Sequence, residues 1–110
     1  MIKMRLNNES FNLIKDGYKT IEVRLNDEKR KALTINDTIV FTNRKTNETL
    51  QATVLNILHY NNFEELLDSH DIHDFGDNNK ERYLEYLRKL YTKEEETECG
   101  VLGIKIRVIE

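Results

Sequence analysis

The 110-residue chain has no proline, no tryptophan and a single cysteine, and no strong excess of either charge sign. One cysteine, Cys99, excludes an internal disulfide. No apolar run approaches the ~20 residues needed to span a bilayer, so no membrane association is expected. The opening stretch Met1–Leu6 lacks the apolar core and small-residue cleavage site of a signal peptide. These absences predict a chain that works in a reducing cytoplasm. Also missing are a glycine-rich phosphate loop, a Ser/His/Asp order and a zinc-finger spacing.

What is present is the composition of a well-solvated globular protein, 38% hydrophobic and 34% charged. The length predicts one domain over 1–110, with one modest core. The net charge of −3 is unevenly spread: residues 1–60 sum to +3, 61–98 to −7 and 99–110 to +1. A mildly basic body permits polyanion binding, whereas the overall acidity disfavours generic capture of duplex DNA.

The pattern predicts a strand at Lys3–Leu6 and a helix over roughly 8–16. Asn7 or Asn8 caps that helix, Phe11 and Ile14 face inward and Gly17 ends it. A strand from Thr20 to Leu25 alternates cleanly, with Ile21, Val23 and Leu25 on one face and Thr20, Glu22 and Arg24 on the other. Asn26 is placed to cap a short basic helical turn. Strands follow at Thr38–Asn43 and about Thr49–His59, joined by a polar hairpin connection. The second changes phase between Val54 and Leu55, the mark of a β-bulge, which favours a curved, closed sheet. Asn62 caps a helix bearing Phe63, Leu66 and Leu67. After a polar loop over 70–79, Asn79 opens a helix with Tyr83, Leu84, Leu87, Leu90 and Tyr91 at helical spacing. Thr92–Glu95 fits a capping box, and Val101–Ile109 is the last strand. The fold class is therefore α+β with a mainly antiparallel sheet.

Lys19, Glu22 and Arg24 form the main candidate constellation, with Thr20 and Tyr18 beside them. Such a set can bind phosphate or a carbonyl, or move protons. Equally, a Glu–Arg pair on a solvated face is worth under ~1 kcal/mol, and the residues alone leave both readings open. The cluster His70, Asp71, His73 and Asp74 matches no metal-ligand spacing and reads as a polar loop, so no metal or cofactor is expected. Cys99 precedes a strand and reads as a structural thiol. Tyr83, Tyr86 and Tyr91 lie among leucines at helical spacing and read as core, with base stacking as the alternative.

The octapeptide Gly17-Tyr18-Lys19-Thr20-Ile21-Glu22-Val23-Arg24 matches the pattern G-x-K-x-x-E-x-R. It resembles the hallmark of the ASCH domain, the activating-signal-cointegrator homology domain, and the segments Leu6–Phe11, Ile35–Phe41 and Gly100–Ile104 resemble its small bacterial members. The resemblance implies a PUA-like fold, a small curved β-barrel with flanking helices. It also implies a cleft for RNA or a nucleotide-like ligand, lined by Lys19, Thr20, Glu22, Arg24 and Tyr18. One branch with a catalytic lysine at the position of Lys19 hydrolyses acetylcytidine; the position of its threonine nucleophile holds Glu22 here, and Asp74 or Asp77 matches its loop acid. If the chain is an enzyme, the resemblance thus points to Lys19, Glu22 and Asp74 as catalytic. Other members are described as ribonucleases. A third possibility is a non-enzymatic interaction domain whose acidic helices meet a protein partner, for which an exposed apolar stripe on the 80–91 helix would be the sign. Oligomeric state is not legible.

Overall fold

The computed structural model describes residues 1–109. Strand β1 (Ile2–Leu6) leads into helix α1 (Asn8–Lys15), which Asn7 caps by accepting from the Ser10 amide. The chain leaves α1 through Gly17, at φ +84°, where the left-handed backbone favours glycine. Strand β2 (Ile21–Leu25) and a short helix α2 (Glu28–Lys31) follow. Asp27, not Asn26, caps α2, because its carboxylate accepts from the Arg30 amide and so sets the first turn. Strands β3 (Thr38–Asn43) and β4 (Thr49–Tyr60) form the expected hairpin. Helix α3 (Phe63–Asp68), a 3-10 turn (Ile72–Phe75), helix α4 (Lys80–Leu90) and helix α5 (Lys93–Cys99) precede the last strand, β5 (Val101–Val108). Thr92 and Glu95 make the reciprocal capping box at α5. No described helix is long and apolar enough to cross a membrane.

One five-stranded sheet runs in the order β1-β3-β4-β5-β2. Among the described residues only the β1–β3 pair is parallel. Strand β4 pairs with β3 through its first half and with β5 from Ala52 onward, so one long strand carries both halves of the sheet. Its register slips between Val54 and Asn56. The extra residue is Leu55, which was expected in the new phase but joins neither core cluster. The slip bends the sheet into a half-barrel, and β1 and β2 are left as its two edges.

Curling gives the sheet two buried faces. The concave face holds Met4, Phe41, Val54, Leu102 and Ile104, plugged by Phe11 and Ile14 from α1. The convex face of β2 and β5 packs Ile21, Val23 and Val101 against Phe63, Leu66 and Leu67 of α3 and Tyr83 and Leu87 of α4. Gly103 permits this close approach, because a Cβ there would lie 2.9 Å from Leu66 Cδ1. The 70–79 segment is less polar than it reads, since the 3-10 turn fully buries Phe75 under α4.

Phe11 is the plug of the concave core and is fully buried. Phe11→Ala is expected to destabilise the fold by about 3–5 kcal/mol. Urea unfolding will check this through a midpoint lowered by more than about 1 M.

Candidate ligand cleft in the seam of the half-barrel

Directly paired residues of neighbouring strands project from the same sheet face. Glu22 pairs with Ile104 and Arg24 with Leu102, both members of the concave core. The register therefore turns the two charged residues inward, at the open edge of the half-barrel. Glu22 and Lys19 are each only 4% exposed. The reading of this stretch as a solvated face is thereby overturned: it assumed a sheet with one wet side, and curling leaves none there.

Glu22 is shared between two cations. Its Oε1 lies 3.0 Å from Lys19 Nζ and its Oε2 2.9 Å from Arg24 Nε. Lys19 Nζ also donates to Ser10 Oγ on α1 at 3.2 Å, and it stands 5.9 Å from the centre of the Tyr83 ring. Arg24 Nη2 donates to the Arg5 carbonyl at 2.8 Å. A chain of polar contacts thus runs from α1 across β2 to β1 and laces the two sheet edges. Gly76 presses on the lysine stem. With φ +80° and a hypothetical Cβ only 3.1 Å from Lys19 Cβ, only glycine fits comfortably.

The charges hold one another. Burial works to raise the Glu22 carboxyl, but the adjacent Lys19 and Arg24 cations outweigh it and keep it below its ordinary 4.5. Burial likewise works to lower Lys19, yet the Glu22 carboxylate and then Tyr83 more than reverse this and hold the ammonium above 10.5. Burial pushes the Tyr83 hydroxyl up to about 12. At neutral pH the set is an ammonium, a carboxylate, a guanidinium and a neutral phenol.

These groups floor a cleft of ≈ 230 Å³. Arg5 and Arg44 stand at it with Lys19 and Arg24, so four cations face one carboxylate. Tyr83, Tyr86 and Tyr91 also line it. Reading the three tyrosines as core holds for Tyr83, and for Tyr91, which stacks on Phe63 at 5.4 Å, but not for Tyr86, which α4 turns toward the opening. A second recess of ≈ 210 Å³ shares Ser10, Lys19, Tyr83 and Tyr86 with the first. Between them Asn7 Nδ2 donates to Tyr86 Oη at 2.8 Å.

Not every candidate residue reaches the cleft. Thr20 donates its amide to the Asp74 carbonyl at 2.8 Å and lines neither recess. Asp74 therefore serves this region through its backbone, anchoring the start of β2, and its carboxylate lines neither recess. Asp77 borders the second recess but is paired with Arg82. Tyr18 is 71% exposed and also stands outside both. Asp71 pairs with His73 at 2.8 Å on the surface, and His70 contacts Tyr60 Oη at 3.1 Å, so the loop histidines are engaged separately. Arg5, Asn7, Ser10 and Arg44 are the cleft residues that sequence reasoning missed, whereas Tyr86 reads in the sequence as core with base stacking as the alternative. The one available signal was the i, i+3 spacing of Tyr83 and Tyr86 on a helix whose apolar stripe is wider than one neighbour can cover.

A half-barrel with a charged cleft in its seam defines the class, and comparison with known proteins defines the family. The ASCH domain pattern matches residues 4–110, and the chain belongs to the ASCH domain family. The crystal structure of hypothetical protein PH0355 is similar at a TM-score of 0.87 and 35% identity, covering 97% of each chain. Protein PF0455 from Pyrococcus furiosus is similar at 0.79 and 34%, covering 99% of this chain and 97% of that one. An ASCH domain from Lactobacillus crispatus shares the fold at 0.62 and 17% identity, covering 92% of this chain and 70% of the other. No curated protein matches. The α+β, PUA-like curved fold is thus established.

Removing one partner from a buried ion pair costs about 3–5 kcal/mol. Glu22→Gln is expected to lose that much at neutral pH, and Lys19→Met combined with Glu22→Gln to recover a large part, since no buried charge is then orphaned at the lysine. Equal losses in the two variants would refute the coupling. The pH dependence follows in sign. The lowered Glu22 carboxyl stabilises the fold above about 4.5 and loses that contribution as pH falls through its folded value. The raised Lys19 stabilises below 10.5 and loses its contribution as pH rises through its folded value. Chemical denaturation across pH should show the acid limb flattened in Glu22→Gln.

Proposed function

We propose that the cleft binds an unpaired nucleotide of RNA, or a nucleotide-like ligand. The observation that carries this reading is the buried Lys19–Glu22–Arg24 chain on the floor of a cleft with four cations, one carboxylate and tyrosine walls. Arg24 and Arg44 are placed for phosphate, and Arg offers the planar fork that phosphate recognition uses. Tyr86, exposed at the cleft, offers a ring on which a base stacks, with Tyr91 beside it backed by Phe63. Lys19 donates and Glu22 accepts, which suits the hydrogen-bonding edge of a base. A cleft of ≈ 230 Å³ is below the about 300–1,000 Å³ of sites that engulf a drug-sized ligand, so it suits one nucleotide unit.

A hydrolase of modified nucleosides or of RNA is the second reading, favoured by a buried ammonium–carboxylate pair in a recess. In that reading Glu22 is the base and Lys19 stabilises developing negative charge. The electrostatics favour binding over this chemistry. A carboxyl held below 4.5, with both oxygens engaged, is a weak base at neutral pH. The protein-docking reading keeps only part of its sign: Tyr83 and Leu87 are buried, whereas Tyr86 and Leu90 are exposed at the rim of the cleft.

Binding should be measured at low salt against nucleosides, nucleotides and short RNAs. Lys19→Ala and Arg24→Ala are expected to weaken binding, and Tyr86→Ala to weaken it by about 1–3 kcal/mol while leaving the fold intact. No binding to any member of the panel would sink the proposal. Turnover of acetylcytidine or RNA that disappears in both Lys19→Ala and Glu22→Gln would move the assignment to the hydrolase reading.

A further inference from the structure

A second groove opens on the outer side of the seam, with a volume of ≈ 460 Å³. Among the described residues, six of its nine lining residues are cations, namely Lys3, Arg5, Arg24, Lys29, Arg30 and Arg44, and none is acidic. Three elements distant in sequence contribute them: β1, the β2–α2 segment and the start of the β3–β4 connection. The basic trio of α2 suits its helix dipole, and that would explain Lys29, Arg30 and Lys31 if α2 stood alone. It does not explain why Lys3, Arg5 and Arg44 face the same groove.

The partners of these cations sharpen the point. Among the described residues, Lys3, Arg5, Lys29 and Arg44 are exposed and enter no ion pair. Arg30 gives Nη1 to Asp27, but its Nε is buried and has no hydrogen-bond partner. A buried N–H left unsatisfied is costly, so Arg30 is held there by its surroundings and its Asp27 pair and not by a full set of hydrogen bonds. Exposed like charges gathered without counterions also repel one another. The groove therefore favours a partner with several negative charges along a line.

Arg5, Arg24 and Arg44 line both this groove and the tyrosine-walled cleft, so the two adjoin along these arginines. We propose that the groove carries the phosphodiester backbone of a single-stranded oligonucleotide whose unpaired base occupies the cleft. This rests on the preceding reading of the cleft as a nucleotide site and extends it from a monomer to a strand. Stacking walls beside an electropositive track are the arrangement that single-strand recognition requires. A duplex has no free base for the recess, so the strand must be unpaired there. No carboxylate from the acidic 61–98 segment lines either the cleft or the groove. The strand's path is thus cationic within a chain of net charge −3.

The test is fluorescence anisotropy with a mononucleotide, single-stranded RNA and DNA oligomers of increasing length, a duplex, and polyglutamate, on the wild type and on Lys3→Ala combined with Lys29→Ala. Both positions are exposed, so the fold is retained, and circular dichroism will verify this. We expect affinity to rise at least tenfold from mononucleotide to oligomer. The double variant should erase most of that gain while leaving mononucleotide binding unchanged. Its salt slope should fall by about 1.4, at about 0.7 per cation for a single strand. Comparison of the RNA and DNA arms reads which sugar is preferred. Mononucleotide binding with no gain on lengthening, or a gain untouched in the double variant, overturns the groove alone. Preference for the duplex, or equal binding of polyglutamate, overturns it as well. Oligomer binding that depends on Lys3 and Lys29 without mononucleotide binding upholds the groove and removes the cleft reading. Binding of nothing removes both.

Discussion

The carboxylate of Glu22, held between Lys19 and Arg24, is the interaction on which the seam depends. A half-barrel has two sheet edges, and edges expose unpaired backbone groups that must be covered or satisfied. A closed barrel would join β1 to β2 with a ladder of backbone bonds. Here side chains do that work: Ser10, Lys19, Glu22 and Arg24 connect α1 to β2, and Arg24 reaches the Arg5 carbonyl on β1. A backbone ladder has fixed partners, whereas side chains can exchange theirs for a ligand. The cost is two charged groups taken out of water, which mutual attraction offsets only when the geometry is good. The seam is therefore at once the weakest closure of the sheet and the place where polar atoms are available to a guest.

Alternation in residues 20–25 was legible, and so was the pairing of Glu22 with Arg24 on one face. What that face meets was not, because a period of two residues says which side chains are neighbours and nothing about the curvature of the sheet. Curvature had its own trace in β4, where the hydrophobic phase slips around Leu55. The family resemblance pointed to the proposed cleft as the site, which the charge pattern alone left open. Nearness in sequence to the motif was a poor guide to membership in the cleft: Thr20 is spent on backbone bonds and Tyr18 stands in solvent. Arg5, Ser10 and Arg44 were invisible for the opposite reason. Each is an ordinary residue of its own segment, and only the crossing of α4 over the β1–β2 seam gathers them.

Charge distribution bears on what the site selects. A chain of net −3 repels polyanions at long range, so it gains little from diffuse electrostatics. Within about a Debye length, ≈ 8–10 Å in physiological salt, the local charge governs instead. There the cleft presents four cations to one carboxylate. Such an arrangement trades general affinity for position: a polyanion would be held where the seam is and disfavoured along the acidic helices. Glu22 contributes to the same selectivity. In the proposed binding mode, with both Glu22 oxygens ion-paired, an incoming phosphate would approach through Arg24 or Arg44 and not through Lys19. The recess beside the lysine would then be left to a neutral, hydrogen-bonding group. The buried carboxylate, which makes the seam costly to build, would in that mode also separate a phosphate end from a base end within the cleft.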